Sequence, residues 1–224
     1  MSVVTKPSKQ STDVRQAGLV EAALRLAAQR SPADITTTDL AHAVGITQGA
    51  VFRHFSSKEA IWLAALAWVT DTLMRRLNTA AALDAAPTGG PEPAAPPDAL
   101  AALQAVFMAH VDFVVEHPGV PRVIFQELQQ PQDTPVKASV RQLMQQYRTL
   151  LMRLLTQAQL KKLIAPDADL TGASVLFIGS IQGLVMQSLM SGDVAAMRQQ
   201  APAVYALFQR GLQATATHST QGTP

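Results

Sequence analysis

Residues 36–55 contain side chains that can recognise the edges of DNA bases, in the sequence TTTDLAHAVGITQGAVFRHF. The second half of this segment has the length of a short helix, whose outward residues would be Gln48, Ala50, Arg53 and His54. In the major groove, glutamine can pair with adenine and arginine with guanine, and an alanine methyl can touch the methyl of thymine. These residue types therefore favour contacts with double-stranded DNA.

Two short helices joined by a glycine turn would position these side chains, as in a helix-turn-helix. Thr36 and Asp39 resemble a capping box that begins the first helix, and Gly45 supplies the left-handed residue that ends it. Thr47 caps the second helix. The residues expected to face the core are Leu40, Val44, Ile46 and Val51. The same spacing also fits an ordinary pair of packed helices, so the pattern leaves that alternative open.

Lys58 is a second candidate for contact with an anion. Ser56 and Glu59 form an S-x-x-E capping box, which predicts a long helix that continues to about Leu77. A lysine in the first turn of a helix is unfavourable to the helix dipole unless an anion lies between them. Lys58 is therefore predicted to contact a DNA phosphate, with a solvated surface charge as the alternative.

The composition excludes several classes of site. The chain has 224 residues, no cysteine, 48% hydrophobic and 15% charged residues, and a formal net charge of +2. A disulfide scaffold, a thiolate nucleophile and a cysteine-based zinc site are therefore excluded. Residues 1–62 hold seven basic and five acidic side chains, so the whole formal excess lies there. With no catalytic motif, metal-ligand spacing or signal-peptide segment in the sequence, we expect a cytoplasmic protein that is not an enzyme and uses no metal or cofactor.

Helical periodicity runs through most of the chain and predicts an all-α fold of about nine helices. The predicted helices cover about 14–30, 36–44, 47–55, 57–77, 98–116, 121–128, 135–162, 168–190 and 202–212. The predicted domains are a mobile arm at 1–12, a helix-turn-helix DNA-binding domain at 13–60, a ligand-binding and dimerisation domain at 61–214 that contains a Pro/Ala/Gly loop at 79–99, and a flexible tail at 215–224.

The N-terminal third resembles a known family. The stretch TTTDLAHAVGITQGAVFRHFSSKEAIWLAAL is similar to the DNA-binding region of TetR/AcrR-family transcriptional regulators, and the resemblance covers about residues 14–70. It rests on the T-x-x-D-L-A entry, the G-[IV]-[ST] turn, the Y/F-x-x-F segment and the S-K-E that follows. The resemblance implies a three-helix DNA-binding domain followed by a helical ligand-binding and dimerisation domain.

The resemblance also implies individual roles. The base-facing positions would be Thr47, Gln48, Ala50 and Arg53, and the contacts to the DNA backbone would come from Thr38, His54 and Lys58. The full predicted DNA-binding set is Thr37, Thr38, Thr47, Gln48, Gly49, Ala50, Phe52, Arg53, His54 and Lys58. Phe52 stands where the family often has a tyrosine, and it cannot supply the phosphate contact that the tyrosine hydroxyl makes.

The C-terminal part predicts a pocket and an interface between two subunits. Apolar and aromatic residues with a few polar groups are typical of small-molecule sites, although for each residue a place in the core is the alternative. The pocket candidates are Phe107, His110, Val114, Phe125, Met144, Tyr147, Leu151 and Phe177. The candidates for the dimer interface are Gly179, Gly183, Leu184, Gln187, Ala203, Leu207 and Phe208. The apolar run at 174–190 is too short and too polar for a membrane span, so no membrane contact is expected.

These expectations combine into a homodimeric DNA-binding transcriptional regulator, a repressor that leaves a palindromic operator when a small apolar effector binds. A dimer is needed because one helix-turn-helix reads only a few base pairs. The long helix over 57–77 would transmit the change. The alternatives are a helical interaction protein without sequence-specific DNA binding and an enzyme with a helical active site.

Overall fold

The structure is a computed structural model and describes residues 12–81 and 98–213. In these residues it contains nine α-helices, one short 3₁₀ helix and no strand, which confirms the predicted all-α fold. The helices are α1 Thr12–Ala27, α2 Thr37–Ala43, α3 Gln48–Val51, α4 Lys58–Ala80, α5 Ala99–Glu116, α6 Gly119–Leu128, α7 Pro135–Leu160, α8 Leu170–Ser191 and α9 Ala196–Leu212. The 3₁₀ turn is Pro32–Asp34. The predicted tail, most of the predicted arm and most of the predicted Pro/Ala/Gly loop lie outside the described residues.

Polar side chains and a glycine set several helix ends. The Thr134 hydroxyl accepts a hydrogen bond from the backbone N–H of Lys137 at 2.9 Å, which caps the start of α7. At the start of α8, the carboxylate of Asp169 accepts from the N–H of Thr171 at 3.0 Å. α8 ends at Gly192, whose φ of 75° is the left-handed conformation that favours glycine.

The start of α4 differs from the prediction by one residue. The Ser57 hydroxyl, not that of Ser56, accepts from the backbone N–H of Ala60 at 3.1 Å. α4 therefore begins at Lys58, which places this lysine at the first helical position. α6 also begins earlier than expected, at Gly119, so the His117-Pro118-Gly119 sequence separates two helices by only two residues.

The last helix begins six residues before the predicted start at Pro202. The Asp193 carboxylate accepts from the N–H of Ala196 at 3.1 Å and opens α9, so Pro202 lies inside the helix. A proline there removes one backbone hydrogen bond. Met197 and Ala201 are nearly or fully buried, and their burial holds the turn that precedes the proline.

The described chain forms two compact units, and the first contains the predicted DNA-binding segment. This unit comprises residues 12–72 and 116–143, so it includes α1 to α3, most of α4, all of α6 and the start of α7. Its fully buried residues are Leu19, Ala23, Ala27, Ile35, Leu40, Val51, Ile61, Ala65, Val69, Val140 and Leu143. The predicted domain boundary at residue 60 does not coincide with an edge of this unit.

The second unit comprises residues 73–81, 98–115 and 144–213. The backbone N–H of Ala165, after α7, donates to the carbonyl of Leu212 at the end of α9, at 2.9 Å. The Arg198 guanidinium of α9 pairs with the Asp112 carboxylate of α5 at 2.6 Å. In addition, the Tyr205 hydroxyl donates to the carbonyl of Leu100 at 2.9 Å. These bonds link both ends of α9 to the rest of the unit.

Among the described residues, two helices, α5 and α8, are long and apolar enough to cross a membrane by length and composition alone. With 22 residues, α8 is longer than the apolar run at 174–190 on which the prediction of a run too short to span rested. Core helices of proteins outside membranes meet the same criterion. The buried side of α8 includes Phe177, Ile181 and Val185, which pack within the second unit. The apolar character of α8 is therefore explained in part by the core.

Candidate nucleic-acid interface

The first helix of the motif, α2, begins in a complete capping box. The Thr36 hydroxyl accepts from the backbone N–H of Asp39 at 3.1 Å, and the Asp39 carboxylate accepts from the N–H of Thr36 at 2.8 Å. Arg30 forms an ion pair with the same carboxylate at 2.9 Å. Hydrogen bonds from Arg30 and then from Thr36 hold the pKa of Asp39 well below its usual range. Asp39 therefore ties α2 to the end of α1 as well as to its own cap.

The turn between α2 and α3 is a Schellman motif centred on Gly45. The N–H of Ile46 donates to the carbonyl of Ala41 at 2.9 Å, and the N–H of Gly45 donates to that of His42 at 3.2 Å. Gly45 has a φ of 68°, which a residue with a Cβ adopts only at a cost. The predicted role of this glycine is confirmed.

The second helix of the motif, α3, is one turn long and is capped by Thr47, whose hydroxyl accepts from the N–H of Ala50 at 3.2 Å. The Gln48 amide donates to the Thr37 hydroxyl at 3.0 Å, so the first residues of α2 and α3 lie side by side. Val51 is completely buried and anchors α3 to the core. The backbone continues as hydrogen-bonded turns through His54.

The ten predicted DNA-binding residues fall into two groups by exposure. The exposed group, which lies on the solvent side of the motif, is Thr38, Thr47, Gln48, Gly49, Phe52 and Arg53. The half-buried group is Thr37, Ala50, His54 and Lys58. Phe52 is 49% exposed, which is unusual for a large apolar side chain and leaves its ring on the surface of the motif.

Two of the half-buried residues, His54 and Lys58, each have a polar side-chain atom that is not fully open to DNA, one because it is buried and one because it bonds the protein. The Nδ1 atom of His54 is buried and has no hydrogen-bond partner among the described residues, so only the other ring nitrogen could reach DNA. The Lys58 ammonium donates to the carbonyl of Ala33 at 2.8 Å. Burial lowers the pKa of Lys58, while Asp34 and Asp39 nearby raise it. The predicted phosphate contacts of both residues remain predictions.

Seven of the eight pocket candidates belong to the second unit, whereas Phe125 lies on α6 in the first. Phe107, Tyr147, Leu151 and Phe177 are completely buried. Phe107 meets Phe177 edge to face with ring centroids 5.2 Å apart, and Tyr147 meets Phe177 at 6.3 Å. Val114 is also buried, while Met144 is partly buried. Six of these seven candidates therefore contribute to an aromatic and aliphatic core, and His110 adds a polar group.

One polar pair lies in this core. The Nδ1 of His110 and the hydroxyl of Tyr147 are hydrogen-bonded at 3.0 Å. Burial lowers the pKa of His110 to about 4, so the imidazole is neutral near pH 7. Burial also raises the pKa of the Tyr147 hydroxyl well above its usual range. The pair can therefore offer a neutral donor or acceptor, but no charge, to a molecule that enters the core.

The predicted dimer residues divide between a surface and the core. Gly179, Gly183, Gln187, Ala203 and Leu207 are exposed on α8 and α9. Leu184 and Phe208 instead are buried within the second unit, because they lie on the inner sides of these helices. Other exposed apolar residues on α8 are Val175, Leu176, Met186 and Met190, and the sequence prediction did not include them. We call the exposed set the α8–α9 face.

The sequence that forms α2, α3 and the adjoining parts of α1 and α4 matches a known family. The family model described as "Bacterial regulatory proteins, tetR family" matches residues 19–65. A second model, "Tetracyclin repressor-like, C-terminal domain", matches residues 124–204, and together the two cover more than half of the chain. The chain belongs to the TetR family of transcriptional regulators.

Individual relatives of this TetR-family chain are distant. The nucleoid occlusion factor SlmA of Alteromonas mediterranea is 22% identical over 178 residues, which are 78% of this chain and 85% of SlmA. The fatty acid degradation regulator FadR of Bacillus halodurans has a similar structure, with a TM-score of 0.75 at 17% identity over 93% of this chain and all of that chain.

Two further solved structures share the fold in the presence of ligands. FadR of Bacillus subtilis in complex with stearoyl-CoA has a TM-score of 0.72 at 17% identity, over 88% of this chain and 99% of that chain. AibR in complex with isovaleryl coenzyme A and operator DNA has a TM-score of 0.61 at 17% identity, over 77% and 86%. At these identities, the structural comparisons establish the shared fold alone.

Sequence reasoning missed several residues that hold the DNA-binding motif of this TetR-family regulator in place. The Gln16 amide on α1 donates to the carbonyl of His54 at 2.9 Å. Arg25 reaches the carbonyl of Ala43 at the end of α2 at 3.4 Å. Gln126 on α6 accepts from the N–H of Ala33 at 2.9 Å. These bonds join positions that are far apart in the chain, and no local motif signals them.

Proposed function

We propose that this TetR-family regulator is a repressor that binds a palindromic operator as a homodimer and releases it when a small apolar or amphipathic effector binds. The observation that carries the proposal is the α2–α3 motif, where Gln48 at the start of α3 and Arg53 in the turn that follows it are exposed, while Val51 anchors α3 in the core. This is the arrangement by which a recognition helix enters the major groove. Such a protein acts where the DNA is, in the cytoplasm.

The α8–α9 face supports the homodimer. It combines large exposed apolar side chains with two glycines, and Leu207 is 63% exposed while Met190 is 75% exposed. Gly179 and Gly183 have open space where a Cβ would be, so a partner helix could approach their backbone closely. Contiguous apolar patches of this kind mark protein interaction surfaces. A homodimer joined at this face would contain two recognition helices, one for each half-site.

The neutral pair of His110 and Tyr147 supports an effector that is mostly apolar. The aromatic core around the pair would hold an alkyl or ring system, and the pair would bond one uncharged polar group such as a carbonyl. FadR with stearoyl-CoA and AibR with isovaleryl coenzyme A bind acyl thioesters, which have this combination of groups. An acyl thioester is therefore the first effector class to test.

DNA binding is tested by titrating the purified full chain with duplexes selected from a random pool, at several salt concentrations. We expect a sequence preference and a steep fall of affinity with salt. Arg53→Ala should weaken discrimination at one base pair by about tenfold, whereas Arg148→Ala, an exposed arginine on α7, should leave it unchanged. Binding with no sequence preference and little salt dependence would instead support a helical interaction protein without operator recognition.

Effector release is tested on the protein–operator complex. Stearoyl-CoA and isovaleryl-CoA are added in turn, with free coenzyme A as the control, and operator binding is followed by fluorescence anisotropy. If the effector is an acyl thioester, an acylated form dissociates the complex and free coenzyme A does not. A ligand can shift the equilibrium only by its difference in affinity for the two states, so the active compound must also bind the DNA-free protein more tightly.

A further inference from the structure

The peptide of Ala33, in the 3₁₀ turn between α1 and α2, is bonded on both sides by side chains from distant helices. Its N–H donates to the Oε1 of Gln126 on α6 at 2.9 Å, and the Ser31 hydroxyl is a second, longer acceptor at 3.3 Å. Its carbonyl accepts from the ammonium of Lys58 on α4 at 2.8 Å. The Ser31 hydroxyl also lies 3.4 Å from the Oε1 of Gln126. The N–H and the carbonyl of Ala33 are therefore each bonded to a side chain of a different helix, α6 and α4.

This turn is placed to set the start of α2. Ile35, which follows the turn, is completely buried and leaves the chain little freedom before the Thr36 cap. α2 then begins at Thr37, which is bonded to Gln48 of α3 at 3.0 Å. A displacement of the turn would therefore move the first residues of both helices of the motif.

α6 is itself fixed at its other end. A Cβ on Gly119 would lie 2.0 Å from the carbonyl oxygen of Leu24 and 2.9 Å from the backbone nitrogen of Ala28. The first residue of α6 therefore touches the backbone of α1 directly. Gln126 is seven residues further on, about 10 Å along the helix axis. α6 thus spans from α1 to the 3₁₀ turn and holds both.

We propose that Gln126 is a positioning residue for DNA recognition, which together with Lys58 fixes the 3₁₀ turn and through it the first residues of α2 and α3. This inference rests on the proposed operator binding. It assigns to α6, which lies more than 60 residues after the motif, a part in the alignment of the recognition helix. In this role the Lys58 ammonium donates to the carbonyl of Ala33, and its other N–H groups are available for other contacts.

The decisive comparison uses three variants of the full chain. Gln126→Leu keeps the approximate volume and removes the acceptor, Gln126→Glu keeps an acceptor, and Gln129→Leu alters an exposed glutamine of the same segment outside the bonds described. The quantity measured is the ratio of affinities for the selected operator and for a random duplex. An added negative charge lowers both affinities alike, so the ratio isolates positioning from electrostatics.

We expect the Leu variant to lower this ratio about three- to tenfold, as loss of one positioning hydrogen bond implies. The Glu variant and Gln129→Leu should stay within about twofold of the original protein. Hydrogen exchange gives an independent reading that needs no DNA. The amide of Ala33 should exchange faster in the Leu variant and at the original rate in the Glu variant.

Each result decides the matter. An original chain that prefers no duplex overturns the proposed function itself. An original chain with a preference, but a Leu variant with an unchanged ratio, overturns only the positioning role, and faster exchange at Ala33 would then show that the bond is merely local. Unchanged exchange at Ala33 in the Leu variant also overturns the role. If the Leu variant does not fold, Gln126→Ala removes the same acceptor without adding apolar surface and is read in the same way.

Discussion

The DNA-binding motif and the aromatic core of the second unit are held together by different kinds of interaction. α2 and α3 are short, and a capping box, an N-cap, a Schellman turn and backbone contacts from Gln16 and Arg25 set their positions. In the second unit, long helices pack through completely buried rings such as Phe107 and Phe177. The position of the motif therefore depends on many small directional bonds, whereas the second unit depends on a few large apolar contacts.

The largest effect is expected from removing a ring of the second unit. Phe177→Ala should lower the free energy of unfolding by about 3–5 kcal/mol, because the cavity adds to the lost burial of the ring. Chemical denaturation measures this change. Leu160→Ala, on a side chain that is 77% exposed, is the control and should change the stability little. A loss below about 1 kcal/mol for Phe177→Ala would show that this core is not the main support of the unit.

Acid should weaken the same core through His110. Its folded pKa of about 4 lies below its ordinary value of 6.5, so the unfolded chain binds the proton more readily. The stability that this histidine contributes is complete above about pH 6.5 and is lost as the pH falls towards 4, by roughly 3 kcal/mol in all. His110→Gln keeps a partner for Tyr147 and does not titrate, so its stability should fall less over this interval. Parallel curves of stability against pH for the original protein and His110→Gln would contradict the low pKa assigned to His110.

Asp39 changes the stability only at pH values below its ordinary pKa of 3.8, because its pKa in the folded protein is depressed.

The contact between α1 and α6 leaves no room for a Cβ at Gly119, and Gly119→Ala tests it. The new methyl would meet the Leu24 carbonyl, so we expect a loss of roughly 1–3 kcal/mol, measured by thermal unfolding. Gly18→Ala, inside α1, is the matched control because a Cβ there has open space. It should raise the stability by about 0.5–1 kcal/mol. Equal melting temperatures for the two variants would show that α6 yields easily at this point.

The smallest effect is expected at a single cap of the motif. Thr36→Ala removes the hydroxyl that caps α2 and should cost about 1 kcal/mol of stability. Thr38→Ala, two residues further on and exposed, serves as the control for stability. If Thr36→Ala lowered the free energy of unfolding as much as Phe177→Ala does, the contrast between the many small bonds of the motif and the few large contacts of the second unit would be wrong.

Local signals predicted the elements well because they act within a few residues. The caps at Thr36, Thr47 and Asp169 and the left-handed glycines at 45 and 192 all follow from residue type and spacing. Pro202 misled the prediction, since a capping aspartate and buried neighbours upstream outweigh the hydrogen bond that a proline removes. Local sequence alone does not weigh these two effects.

Contacts between distant positions could not be predicted in the same way. Gln126 and Ala33 are 93 positions apart, and no pattern in the chain joins a half-buried glutamine to a turn. Leu184 and Gly183 are neighbours in sequence, yet one is buried in the core and the other faces solvent. An apolar run indicates that a helix is buried, but packing decides which side of the helix faces the core of its own subunit.

The α8–α9 face also bears on the abundance of the protein. If a second copy covers Leu176, Met190 and Leu207, their burial is available only above the concentration at which two chains associate. Melting temperature would then rise with protein concentration. In a growing cell, a newly synthesised chain would stay open to proteases until it met another copy, so scarcity would shorten its lifetime and abundance would prolong it.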